Sequence, residues 1–252
     1  MGPEVRPSGR PAVVFVHGGQ HTGACWQPTI DALRAIDPSV TTVAVDLPGR
    51  AGEPGDLDTL TISECVASTV RQIDDAGAGD VVLVGHSMAG VTLPGVVTAL
   101  GPERVRHAIY LACCVPAQGE AIVDTLLPPV RWIAKYVGKA NTRSDVLPAP
   151  VARWMFANGM TRAQKDAVVA GLVPDSATVT REAVDRSGMP DVPTTWIVTM
   201  RDRSLTPKLQ RRCIENLGNV DHVIELDTCH NAMASEPDRL ARLVLDVLGP
   251  AV

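Results

Sequence analysis

Six short apolar runs recur along the chain: AVVFVHG (12–18), VTTVAVDL (40–47), DVVLVGHS (80–87), VRHAIYLA (105–112), TTWIVTM (194–200) and HVIELD (222–227). Each ends in small or polar residues, and helix-period apolar positions fill 28–36, 61–76, 88–100, 207–217 and 236–248, the last introduced by Ser235, Glu236 and Pro237. Strands alternating with helices mean βαβ units, so the fold class is α/β with a mostly parallel sheet of six strands. The strand runs are nearly continuous in Val, Ile and Leu, which predicts burial on both faces beneath covering helices. A length of 252 residues with 45% hydrophobic and 20% charged residues suits one domain over 1–252 with a large core.

The rhythm breaks between about residues 116 and 190, where prolines, short amphipathic segments and the aromatics Trp132, Tyr136, Trp154 and Phe156 replace any buried strand. This stretch is predicted to be an inserted cap. It leaves the sheet after one strand's C-terminal end and returns before the next, beside the edge where open α/β sheets bind ligands. Trp132 and Trp154, with Ile133, Met155 and Met160, are candidates to line an apolar substrate pocket.

Chemistry concentrates at strand ends. In DVVLVGHSMAG a β-run meets Gly85, His86, Ser87, Met88, Ala89 and Gly90 before a helix-compatible segment, the pattern of a nucleophile elbow. Small residues two before and two after the serine let the backbone turn sharply and push the hydroxyl into the open. Ala89 stands where the motif usually has glycine. The loop VHGGQHTG after the first strand offers the main-chain N–H of Gly19, with that of Met88, as an oxyanion hole, and His21 on the same loop as a substrate contact. A serine hydroxyl needs a base, and the base needs a carboxylate to fix its tautomer. His230 follows HVIELDTC and Asp202 follows TTWIVTM, in the required chain order after Ser87. Asp227 and Asp191 compete less well, the first as a turn residue and the second at the wrong end of its strand. His17 and His86 are expected to pack near the site, and Arg201 and Arg203 flank the acid.

A formal charge of −5 with no long basic run argues against nucleic acid as a partner. No stretch approaches a membrane span, and the N-terminal MGPEVRPSGRP has no apolar core of a signal peptide. The six cysteines show no metal or disulfide spacing and are read as reduced thiols of a cytoplasmic protein. No His, Asp and Glu cluster has metal-ligand spacing, so no metal or other cofactor is expected. The expected partner is a small-molecule ester, and a homodimer is the assembly allowed for.

With these residues in view, the chain over about 11–249 resembles the α/β-hydrolase superfamily, within it the compact branch of plant methylesterases and hydroxynitrile lyases. The resemblance is carried by VFVHGGQHTGACW, VVLVGHSMAG, DRSLTP and CHNAMASEPDRL. It implies a six-stranded parallel sheet, no cofactor, the roles given above for Ser87, Asp202 and His230, and a cap that forms the entrance. Lyases of the branch carry lysine after the catalytic histidine and threonine in the oxyanion loop; here Asn231 and Gly18 occupy those positions, which turns the expectation toward an esterase. Lactone opening, carbon–carbon bond hydrolysis, a lyase reaction or a small-molecule receptor are the alternatives on the same scaffold.

Overall fold

A computed structural model of the chain describes residues 9–125 and 142–249. The six apolar runs become β1 (Ala12–Val16), β2 (Thr42–Val45), β3 (Val81–His86), β4 (Val105–Leu111), β7 (Thr194–Thr199) and β8 (His222–Leu226). They form one sheet in the order β2-β1-β3-β4-β7-β8, and every pairing is parallel. All six strands therefore deliver their C-terminal ends to one edge.

Period-two alternation divides the strand side chains between two cores. Val14, Val16, Leu83 and Tyr110 face one side, where they pack with α2 (Ile62–Asp75), α3 (Leu93–Leu100) and α6 (Pro207–Leu217). Val13, Phe15, Val84 and Ile109 face the other, under α1 (Gln27–Ile36) and α8 (Pro237–Leu248). The expectation of two-sided burial holds for β1, β3 and β7, each buried at every position, but not for β2 and β8. These two lie at the sheet edges, where each has a single strand neighbour and its outer side chains reach solvent.

Between β4 and β7 the described residues hold β5 (Arg143–Ser144), α4 (Ala149–Phe156), α5 (Arg162–Ala170) and β6 (Asp175–Ser176). β5 and β6 pair antiparallel over two residues each. α5 opens with a capping box in which Thr161 and Gln164 satisfy each other's main-chain N–H groups. Ala152, Phe156 and Leu172 form a small apolar cluster, and Ala157 and Met160 pack on Cys229. Asn231 N–H donates to the Phe156 carbonyl at 3.2 Å, and Gln164 Nε2 to that of Ala234 at 2.9 Å. The segment is thus seated on the loop after β8 and on α7 (Ala232–Ser235). Trp132, Ile133 and Tyr136 lie outside the described residues.

All six cysteines are free; Cys65, Cys113, Cys213 and Cys229 are buried, Cys25 and Cys114 half-buried. No helix among the described residues is long and apolar enough to cross a membrane.

Candidate active site

Three strand ends converge. Ser87 follows the last residue of β3 and has φ of +53°, a left-handed conformation that a residue with a β-carbon rarely adopts. The neighbours that permit it are close: a β-carbon on Gly85 would stand 2.4 Å from Leu93 Cδ1, and one on Gly90 2.3 Å from the Cys114 carbonyl oxygen. Ala89 is buried and carries its methyl within this packing, so the constraint falls on the glycine one residue later. The Cys114 N–H donates to the Ser87 carbonyl at 2.8 Å, tying the turn to the chain leaving β4.

His230, four residues beyond β8, places Nε2 3.0 Å from Ser87 Oγ, and its Nδ1 lies 2.7 Å from Asp202 Oδ2. Asp202 is held on every side by donors. Its Oδ1 accepts from the main-chain N–H groups of Ser204 and Leu205 at 2.7 and 2.8 Å. Its Oδ2 accepts from Thr199 Oγ1 at 2.8 Å and from Gln210 Nε2 at 3.3 Å. A carboxylate that can only accept leaves Nδ1 of His230 as the donor, so the lone pair of Nε2 faces the serine hydroxyl. His230 and Asp202 are buried, whereas Ser87 is half-buried. Asp227 is instead exposed and paired with Arg201 at 3.1 Å, and Asp191 pairs with Asn219.

The loop after β1 lies against this row. A β-carbon on Gly18 would stand 2.7 Å from Ser87 Cβ, so only glycine lets the main chain approach Ser87 this closely. His17 Nε2 accepts from Leu47 N–H at 3.0 Å, which puts the ring proton on Nδ1, the donor to the Gly18 carbonyl at 2.8 Å. His21 Nδ1–H donates to the Gly19 carbonyl at 2.6 Å while Nε2 accepts from Asn231 Nδ2 at 2.9 Å. Burial holds the pKa of His17 down to about 3 and that of His21 down to about 4. His86, fully buried, donates from Nε2 to the His230 carbonyl at 3.0 Å, and burial holds it too well below the ordinary histidine range. The three histidines are therefore neutral supports of the loop and of the His230 main chain.

The residues proposed from sequence to touch substrate separate. His21 is buried with both ring nitrogens occupied. Trp154 is 56% exposed on α4 and lies beneath the Arg203 guanidinium. Trp132 lies outside the described residues. The aromatic that does reach the row is Phe156, two residues beyond Trp154, whose ring stacks on His230 at 5.6 Å between centroids. Two positions on a helix differ by roughly 200°, so one of this pair faces out when the other faces in. His107 meets Thr195 Oγ1 at 2.8 Å. Among the described residues no group of three or more His, Cys, Asp or Glu side chains could hold a metal ion.

With this geometry in place, comparison with known proteins gives one consistent family. The model of the alpha/beta hydrolase family matches residues 13–243. The chain is 26% identical over 258 residues to "Probable esterase PIR7A" of Oryza sativa subsp. indica, covering 93% of this chain and 95% of the relative. An extracellular alpha/beta-hydrolase from a Paenibacillus species superposes with a TM-score of 0.82 at 21% identity, covering 94% of this chain and 98% of the other. The methylesterase MES16 of Arabidopsis superposes with a TM-score of 0.76, also at 21% identity, over 94% and 98% of the two chains. At these identities the structural likeness establishes the shared fold.

Proposed function

The chain belongs to the alpha/beta hydrolase family, and from that premise we propose that it hydrolyses a small to medium carboxylic ester through an acyl-enzyme on Ser87. The observation that carries this reading is the unbroken row from Ser87 Oγ to His230 to Asp202, at 3.0 and 2.7 Å, on one sheet edge. Ser87 Oγ attacks the ester carbonyl carbon as its proton passes to His230 Nε2, and Asp202 stabilises the imidazolium. The N–H groups of Gly19 and Met88 receive the oxygen that gains charge. Collapse expels the alcohol, which takes the proton back from His230. Water, deprotonated by the same nitrogen, then attacks the acyl carbon, releasing the acid and Ser87.

Two features favour ester hydrolysis over a lyase reaction on the same site. The residue after His230 is Asn231, whose amide is turned to His21 and carries no charge. Gly18 has no hydroxyl to offer. The names of the relatives, an esterase and a methylesterase, make p-nitrophenyl acetate, p-nitrophenyl butyrate and simple methyl esters the first probes. Rapid mixing with p-nitrophenyl acetate is expected to give a burst of p-nitrophenol equal to one site per chain where deacylation is the slower step, and none with Ser87→Ala. Retention of an intact ester with no product over hours would instead point to a receptor.

A further inference from the structure

The loop that would bind the oxyanion contains two successive glycines, which give its peptides little intrinsic preference for one orientation. What holds it comes from far along the chain. Gln20, the next residue, sits at φ of +58°, in the left-handed region, and its polar groups are taken up by the segment between β4 and β7. Its N–H donates to Asp175 Oδ2 at 2.6 Å, and its carbonyl accepts from Val173 N–H at 3.0 Å. Its side-chain Oε1 accepts from Leu147 N–H at 3.1 Å, and Nε2 donates to the Asp145 carbonyl at 2.8 Å.

Asp175 is itself fixed. Its Oδ1 pairs with the Arg50 guanidinium, from the loop after β2, and accepts from Ser176 N–H at 2.6 Å. Arg50 also donates to the Pro48 carbonyl at 3.0 Å, and both side chains are buried. A β-carbon on Gly19 would stand 2.9 Å from Asp175 Oδ2, so the carboxylate lies directly against that residue. The peptide joining Gly19 to Gln20 is consequently gripped at both ends: its carbonyl by His21 Nδ1–H at 2.6 Å, its N–H by Asp175 at 2.6 Å. Fixing that plane limits the rotation of Gly19 and with it the direction of the Gly19 N–H.

We propose that Asp175 is a positioning residue for the oxyanion hole, acting through Gln20 and held in place by Arg50. The catalytic half of this inference rests on the ester-hydrolase reading, because that reading gives the Gly19 N–H its task; the clamp on the loop does not. Preorganised donors matter because they need no reorganisation as charge develops, so a loosened hole loses turnover more than ground-state binding.

The test compares wild type, Asp175→Ala and the double variant Arg50→Gln with Asp175→Asn, which keeps an acceptor for Gln20 and leaves no unpaired buried charge. Four readouts are taken: kcat and KM on p-nitrophenyl acetate, the fraction and rate of fluorophosphonate labelling, amide hydrogen exchange of peptides covering 17–22, and the melting temperature. Asp175→Ala is expected to lower kcat per labelled molecule by about 10- to 100-fold with KM within about threefold, since outright removal of a hole donor costs on the order of 100- to 1,000-fold. Exchange at 17–22 should quicken selectively. The double variant should return kcat to within about fivefold of wild type, the two changes being strongly coupled. A kcat per labelled molecule equal to wild type, with only the labelled fraction and melting temperature reduced, would leave Asp175 a purely structural role and overturn the proposal. If wild type itself neither labels nor turns over ester, the ester reading fails separately, and exchange at 17–22 decides alone: quickening in Asp175→Ala supports the clamp, no change refutes it. Should Asp175→Ala not fold, Asp175→Asn, with one carbonyl oxygen for two sets of donors, replaces it with the same expected directions.

Discussion

Replacing Asp202 with asparagine changes one atom and, by the hydrogen bonds around it, should invert the histidine. Oδ1 takes two main-chain N–H groups, from Ser204 and Leu205 at 2.7 and 2.8 Å. An asparagine amide turned the other way would set its NH2 against both donors and leave two main-chain N–H groups unsatisfied, at about 1–3 kcal/mol each. Its oxygen therefore stays with the loop, and its NH2 points at Thr199 Oγ1 and His230 Nδ1, where Oδ2 now accepts at 2.8 and 2.7 Å. A donor facing Nδ1 requires the ring proton to move to Nε2, the atom 3.0 Å from Ser87 Oγ. The base then presents a proton where a lone pair is needed. A loss of kcat of about 10⁴ is expected, equivalent to about 5.5 kcal/mol of activation free energy. Steady-state hydrolysis of p-nitrophenyl acetate, corrected for the Ser87→Ala background, reads the rate, and a thermal melt confirms that the fold persists. A loss smaller than about tenfold in a fully folded variant would refute the tautomer argument.

Acid stability provides an independent check, because His17 and His21 are held to about 3 and about 4 in the folded chain. The unfolded chain protonates them near 6.5, so between about pH 6.5 and 4 the unfolded state binds more protons and stability falls as pH falls. Urea unfolding between pH 6 and 5 should show a loss of about 2 to 3 kcal/mol per pH unit from these two, with His86 adding in the same direction; a flat profile would mean that they are not buried neutral. At the elbow, Gly90→Ala drives a methyl to 2.3 Å from the Cys114 carbonyl and should cost about 1–3 kcal/mol in a thermal or urea melt. Ala89→Gly, which removes a methyl without forcing any contact, should cost about 1 kcal/mol or less and keep activity; equal damage from both would show that packing does not distinguish the two positions.

The fold was legible because each strand is a run rich in β-branched and aliphatic residues bounded by small or polar ones, and the serine, aspartate and histidine that converge each lie within four residues after such a run. Local signals also placed α1, α2, α6 and α8 within a residue or two of where they occur. Edge exposure of β2 and β8 was not legible, since Thr42–Val45 reads like the interior strands and only the sheet order exposes it. Nor were the supports of the loop after β1. Arg50 and Asp175 are 125 residues apart, and no periodicity or spacing announces a pair that forms only once the segment between β4 and β7 folds back. The two-residue ladder of β5 and β6 is shorter than any propensity pattern can mark. Phe156 was visible as one of several aromatics, but choosing it over Trp154 needed the rotation of α4 against His230.

Labelling with a fluorophosphonate, followed by intact mass and peptide mapping, addresses Ser87 most directly, because the reagent bonds covalently to a serine only where a base and an oxyanion hole activate it. One adduct per chain on the peptide containing Ser87, absent from Ser87→Ala along with ester hydrolysis, is the outcome foreseen. An adduct that persists in Ser87→Ala, or a folded wild type that takes none, would contradict the assignment of Ser87 as nucleophile.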